Sequence, residues 1–597
     1  MIRKILYMII AGLCLTVGSC TDDFLDRKPL DIISDADVWG NESAILAYLA
    51  DLYDNVQMET NKSMASGEGY PTHFTDESMR GYVWQIQHNP TYPDNFLVCY
   101  NDVYGLGYDD PWAYAKIRKI HEFIEKMPDA TIDQSAKDRY LAEAYFLRAF
   151  NYFTMAKRYG GVPLVKEAQK YDGSNGEALQ MPRSTEEETW NFIAEDLDKA
   201  IAGLPEENVS GEQFRATKYA AYALKARAML YAGSIARYGQ VQLNGLVGIP
   251  SDKANQYFNI SLAASETIIN SGKYKLYDKN PDDRAANYQN LFLDRTMHEE
   301  AIFVKAYSAD KGHSFDMMSL PQSIGTGWCN SIGPTLELVE AYECTDGTSG
   351  TLKINDADGN PIYYDQPDDI FIGKEARFYG TILYPNATFA GVTLEIRRGI
   401  IGSDGVKMAA TTTAGLFQED PSLTLSGKGG MTPATTNTGF YLRKYMDPAG
   451  VITGQDRSTT NFLVFRYGET LLNYAEAVME LGRPNDALPK LNEIRARAGV
   501  PLKTSVTMDD IRRERRVELA FENLRMWDLI RWRTFTQVCD NTLFAALLPW
   551  LDYKTGKYVF EKAPNLLNSS KTFLEKNYYQ PIPGVAQNPV LIQNPGF

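Results

Sequence analysis

The sequence predicts a mainly α protein: an array of helical hairpins with long irregular loops and a few short β-hairpins. Three observations predict it. A helix–turn–helix grammar recurs along the chain, glycine and proline fall between its copies, and the intervening stretches are rich in Gly, Asn, Thr and aromatic residues. The composition agrees: 44% of the 597 residues are apolar and 23% charged, with 45 Gly and 28 Pro, as in a folded globular protein. The net charge of −16 offers no broad cationic surface for nucleic acid or anionic lipid.

The first element is an export signal over residues 1–19. Arg3 and Lys4 precede an uncharged, mostly apolar run from Ile5 to Ser19, too short for a membrane span of roughly 20 residues. It ends in Val17-Gly18-Ser19-Cys20, the small-residue pattern at which a bacterial lipoprotein signal is cut and its cysteine acylated. The alternative is an ordinary thiol beside a different cleavage site. No later stretch is long and apolar enough to span, so the anchor expected is lipid on Cys20.

The helical scaffold is expected mainly over 112–275 and 455–535. Ala136 to Tyr159 reads as one helix, stopped by Gly160-Gly161 and Pro163, and Ser184 to Leu204 as its partner. Phe214 to Ser234 carries Ala220, Leu224, Ala228 and Tyr231 on one face, with Gly233 expected to end the helix and Asn255 to Tyr274 to follow. In Phe465 to Gly499, Leu481-Gly482 followed by Ala487 fits the tetratricopeptide pattern. Such units bury their faces only by stacking and supply shape rather than chemistry. Arg515, Glu518, Glu522, Arg525, Asp528 and Arg531 repeat at helical spacing and are expected to stack on one partly solvated helical face.

Two stretches differ from the scaffold, 60–110 and 308–448. The first holds Tyr70, Phe74, Tyr82, Trp84 and five further aromatics among Gly, Pro and Asn. The second has short β-like runs at Arg377 to Tyr384 and Val392 to Ile396, and a turn at Asn355 to Asn360. Loops held by a rigid scaffold are where function usually sits.

No familiar catalytic spacing is present: there is no G-x-S-x-G elbow, P-loop, dinucleotide fingerprint or HExxH. Cys99, Cys329, Cys344 and Cys539 make no CxxC, so no metal or other cofactor is expected; a Cys329–Cys344 disulfide stays open. A glycosidase needs only two carboxylates roughly 5 to 10 Å apart in space, which sequence does not test.

The stretches EAYFLRAFNYFTMAKRYGGVPLV from Glu143, RATKYAAYALKARAMLYAG from Arg215, RYGETLLNYAEA from Arg466, IRRERRVELAFENLRMWDLIRW from Ile511 and YYQPIPGVAQNPVLIQNPGF at the end closely resemble the SusD/RagB family. The resemblance is ordered, spans Cys20 to Phe597, and implies one SusD-like domain over 20–597 with 536–597 as a C-terminal family segment. It implies a non-catalytic lipoprotein facing outward from the outer membrane, which captures oligosaccharides, or in some members peptides, for a SusC-like TonB-dependent barrel. Thr21-Asp22-Asp23 looks like the acidic signal for that outer face. Asn523 stands where the family usually has Gly.

Chemistry singles out the ligand residues expected in such loops. A sugar ring stacks its C–H face on Trp or Tyr, while its hydroxyls need Asp, Asn, Arg or Gln. Trp328, in Gly325-Thr326-Gly327-Trp328, and Trp84 with Tyr82 are the expected platforms, the alternative being rings folded onto the core. Asp76, Asn101 and Arg377 lie beside the aromatic loops in sequence and are expected to contact hydroxyls. Trp112 leads into a helical pattern and is expected in the core.

Overall fold

The computed structural model describes residues 38–56, 58–60, 71–80, 112–325, 329–432, 435–450, 453–568 and 570–597. Among the described residues, six helices open the array: α1 (Glu42–Asn55), α2 (Tyr114–Lys126), α3 (Gln134–Tyr159), α4 (Glu186–Gly203), α5 (Lys218–Tyr238) and α6 (Ala254–Asn270). Their ends follow local chemistry. Thr185 and Glu188 form a reciprocal capping box at the start of α4, and the Thr217 hydroxyl accepts from the Ala220 N–H at the start of α5. Gly160 stops α3 with φ +74°.

The helices pack against one another through aromatic side chains. Trp190 of α4 lies parallel to Tyr231 of α5, with centroids 5.4 Å apart, and Phe153 of α3 meets Trp190 edge-on. Trp112 packs edge-on against Tyr114 and Tyr159 and is partly buried on the core, as expected. A second hairpin, Tyr467–Glu480 and Pro484–Ala498, turns at Gly482 and closes on the left-handed Gly499. The helix Met508–Glu518 follows, opened by a Thr507–Asp510 capping box.

Gly233 does not end α5. The helix runs four residues past its expected end at Ser234, to Tyr238, and Gly233 is where Phe258 of α6 crosses: a Cβ there would stand 2.7 Å from its ring. Closeness of packing, rather than a turn, explains this glycine. Arg377 to Tyr384 is also not a strand from its start: Ala376–Thr381 is helical, and only Ile382–Leu383 pairs, with Tyr441–Leu442. The turn at Asn355 to Asn360 forms as expected, with the Asp356 carboxylate accepting from the Asp358 and Asn360 N–H groups. Cys329 and Cys344 are separate free thiols.

The sheets are small. Strand β1 (Ser78–Arg80) pairs with β3 (Ile332–Pro334), and β2 (Ala301–Lys305) pairs with Phe462–Arg466, both antiparallel. A hairpin of Ala545–Asp552 and Lys557–Pro564 joins Gly399–Ile401 and Lys407–Ala409 in a four-stranded sheet. One connected apolar core runs from Trp39 to Leu591.

Candidate ligand-binding site

The two loop regions meet at the β1–β3 ladder. Arg80 pairs with Ile332 and Ser78 with Pro334, so the chain leaves β1 after Arg80 at the same end of the ladder at which it enters β3. The ladder is short and is fixed from several sides. Lys571 Nζ donates to the Ser78 carbonyl at 2.7 Å and also to that of Thr75, and Asn437 Nδ2 donates to the Arg80 carbonyl at 2.5 Å. Thr335 holds the far end, its hydroxyl donating to the Asp76 carbonyl at 2.6 Å and its N–H to that of Glu77 at 3.1 Å.

Below the ladder, Asp76 receives two parallel hydrogen bonds from Arg525, both 2.9 Å, and an ion pair from Arg516 at 2.8 Å. Burial alone would raise its pKa, but the two guanidinium groups outweigh that and hold it well below the usual carboxylate range. The adjacent Glu77 goes the other way. Burial, with the Asp76 charge beside it, lifts its carboxyl to about 8, although it accepts from the Phe521 N–H at 3.1 Å.

These contacts correct two expectations. Asp76 is 3% exposed and saturated by arginines, so it clamps the root of the loop rather than meeting a sugar hydroxyl. Arg377 is 1% exposed in the interior, donating to Glu375 at 2.7 Å, Glu514 at 2.6 Å and Glu518 at 3.0 Å. Tyr82, Trp84, Asn101, Trp328 and Cys20 lie outside the described residues.

The charge ladder is likewise corrected. Its helix ends at Glu518 and another spans Arg525–Arg531, and five of its six members are buried, Arg525 nearly so, in a network with Glu476, Arg466 and Asp76. Between the helices Asn523 adopts φ +60°, the left-handed backbone that glycine takes freely and Asn tolerates, and its side chain donates to the Glu59 carbonyl at 2.7 Å. That accounts for an asparagine at this position. Lys571, Asn437 and Arg466 carry no sequence signal of their roles, because their partners are far away along the chain.

Among the described residues, no group of three or more His, Cys, Asp or Glu is placed to hold a metal ion, and no helix is long and apolar enough to cross a membrane.

The two loop regions of the helical array are thus tied to one ladder. The comparisons fix the class. Residues 299–597 match the family described as SusD family, and residues 23–230 match one described as starch-binding, associating with outer membrane. A SusD-like protein of Bacteroides ovatus is 23% identical, the match covering 96% of this chain and 92% of that one. The crystal structure of a SusD-like protein from Bacteroides fragilis superposes with a TM-score of 0.69 at 27% identity, over 96% of this chain and all of that one. A laminarin-binding SusD-like protein has the same fold, with TM-score 0.58 at 20% identity, over 94% of this chain and all of that one. The chain belongs to the SusD family.

Proposed function

We propose that this protein is a lipid-anchored, outward-facing glycan-binding protein of the outer membrane, which captures oligosaccharide in loops 60–110 and 308–448. It hands the glycan to a SusC-like TonB-dependent barrel and does no chemistry on it. The observation that carries the reading is the shared root of the two loops. Trp84 lies four residues beyond Arg80 and Trp328 four before Ile332, and those two root residues are partners in the ladder. The two loops on which the platforms are expected therefore start at one end of one ladder. The outer-membrane association in the family description and the laminarin-binding relative support the ligand class and the location.

Trp84→Ala and Trp328→Ala are each expected to weaken glycan binding by roughly ten- to a hundredfold, about 1 to 3 kcal/mol by extension from aromatic stacking on bases. Melting temperature should stay unchanged. Core rings would instead cost roughly 3 to 5 kcal/mol of stability. A glycan array identifies the ligand, and calorimetry with thermal melts on both variants follows; early melting with normal binding would put the site elsewhere. Chromatography of oligosaccharide incubated with the protein should recover it intact, and steady cleavage would refute the binding-only reading.

The anchor has its own test. Acyl chains contribute roughly 0.8 kcal/mol per buried CH₂, enough with two or three chains for stable attachment. Cys20→Ala should leave the protein released or unprocessed when the barrel gene is deleted. Continued fractionation with the outer membrane in that background would refute lipid anchoring. The wild-type protein should co-purify with the barrel from native membranes.

A further inference from the structure

A cleft of about 430 Å³ lies between α1, the turn before α5 and strand β2; Leu46, Ala50, Phe214, Phe303, Val304 and Ala306 are among the described residues that line it. Leu46, Leu49, Ala50 and Tyr53 follow one another at the spacing of a single helical face, so α1 turns a mostly apolar stripe to the cleft. That stripe is incompletely covered: Leu46 and Phe214 are half-buried and Ala50 is exposed. Among the described residues, β2 has a strand partner on one side only, Phe462–Arg466.

The charges at the rim have partners. Lys305 stands 3.4 Å from Asp54, and Arg215 stands 2.7 Å from Glu212. An occupant is therefore recognised by apolar side chains, and the volume falls within the range of about 300 to 1,000 Å³ that ligand pockets span. Residues 20–37, which lie outside the described residues, lead directly into α1. In Leu30-Asp31-Ile32-Ile33 an extended chain puts Leu30 and Ile32 on one face and Asp31 on the other. Leu30 is twelve residues before Glu42, up to about 40 Å of extended chain, and Ala50 is about 12 Å along the helix from Glu42, so the cleft is within the segment's reach. The stretch 61–70, which leaves from beside Met58 of the same cleft, has no aliphatic run: it offers Met64, Ala65 and Tyr70 among polar residues and glycine.

We propose that this cleft is the seat of the N-terminal segment, with Leu30 and Ile32 packed against α1 and β2. Seating them beside Leu46, Phe214 and Phe303 takes apolar surface of both partners out of water, while Asp31 on the opposite face stays hydrated. The seat also shortens the tether. Ten residues, 20–29, spanning at most about 35 Å, then separate the acylated cysteine from the body, in place of the eighteen that precede Val38. That consequence rests on the lipid-anchor reading above; the seating itself does not.

The test is limited trypsin digestion of the mature chain, residues 20–597, with mass spectrometry following cleavage of the Arg27–Lys28 bond. A protease must hold several residues on either side of the bond it cuts, Leu30 among them, so a seated segment is protected. In the wild type the bond should be cut at least about tenfold more slowly than in the free peptide of residues 20–37, because cleavage waits on transient release of the segment. Ala50→Trp and Ala306→Trp fill the cleft, and Ile32→Asp spoils the segment; each should return the rate toward that of the peptide while the protein keeps its cooperative melt. Ala50 is exposed, so its variant reports on the cleft even if Ala306→Trp disturbs the fold. The proposal is overturned if the wild-type bond is cut at the rate of the peptide. It is equally overturned by protection that neither Ala50→Trp nor Ile32→Asp relieves, which would seat the segment elsewhere. Failure of the anchor reading appears separately, as Cys20→Ala protein that still fractionates with the outer membrane.

Discussion

Arg466→Leu is expected to destabilise the protein by roughly 3 to 5 kcal/mol, the usual cost of removing one partner from a buried ion pair, and so to bring it close to unfolding. Arg466 is 1% exposed at the end of a strand, and all five of its N–H groups are engaged. Nε and Nη2 hold the Glu522 carboxylate, both at 2.8 Å; Nη1 reaches Glu300 at 2.6 Å and Glu518 at 2.8 Å, and Nη2 reaches the Glu518 carbonyl at 2.9 Å. Leucine fills part of the space but leaves three buried carboxylates sharing Arg497, Arg377 and Lys444. Combining Arg466→Leu with Glu522→Gln should recover part of the loss. Urea denaturation of the single and double variants measures both effects, and a single variant within about 1 kcal/mol of wild type would mean the network is dispensable.

The same network sets a dependence on pH. Burial opposes ionisation of Glu518 and Glu522, but Arg497, Arg466 and Arg377 around the first, and Arg466 and Lys444 around the second, outweigh it and lower both carboxyls. Groups lowered on folding stabilise above their unfolded pKa of about 4.3, and that contribution is lost as pH falls through their folded values. Glu375 has the opposite sign: burial lifts it to about 7 despite Arg377. Its contribution is present below about pH 4.3 and is lost as pH rises through 7.

Much of the scaffold is legible in the sequence because its determinants are local. Thr185 with Glu188, Gly160 after Tyr159 and Gly499 after Ala498 mark helix ends within four residues of where they act. The errors share one cause, which is that burial by distant segments leaves no local mark. Gly233 reads as a stop until Phe258 is seen crossing it, and alternating charges read as a solvated stripe until Glu476 and Arg466 are found packed against them. The site is harder still. Ser78–Arg80 and Ile332–Pro334 are three-residue strands some 250 positions apart, too short for a period-2 pattern to declare them. Asp76 and Arg377 lie near the aromatic loops in sequence, and nearness in sequence does not place a side chain in solvent. The chemistry expected of the loops rests on Trp84 and Trp328, whose roots the ladder brings together.

Asp76→Ala separates a clamp from a ligand contact. A surface aspartate that met sugar hydroxyls would weaken binding on removal and leave the melting temperature alone. In the structure Asp76 instead neutralises Arg516 and Arg525 beneath the ladder, and alanine deprives two partly buried cations of this partner. The expected cost is roughly 2 to 3 kcal/mol of stability, less than for a fully buried pair because both arginines keep some contact with solvent, with glycan affinity falling as well because both loops are rooted on β1 and β3. Asn at this position retains the volume and one acceptor without the charge, and should lose less. Acid should mimic the substitution: a carboxyl held low by arginines stabilises above its unfolded pKa of about 3.9, and that contribution is lost as pH falls through the folded value. Glu77 opposes it from the next position, since its contribution is present below about pH 4.3 and is lost as pH rises through about 8. Thermal melts of wild type, Asp76→Asn and Asp76→Ala between pH 3 and 9 test this directly. Wild type should lose more stability than Asp76→Ala on the acid side, and parallel curves for the two proteins would show that the Asp76 clamp contributes nothing.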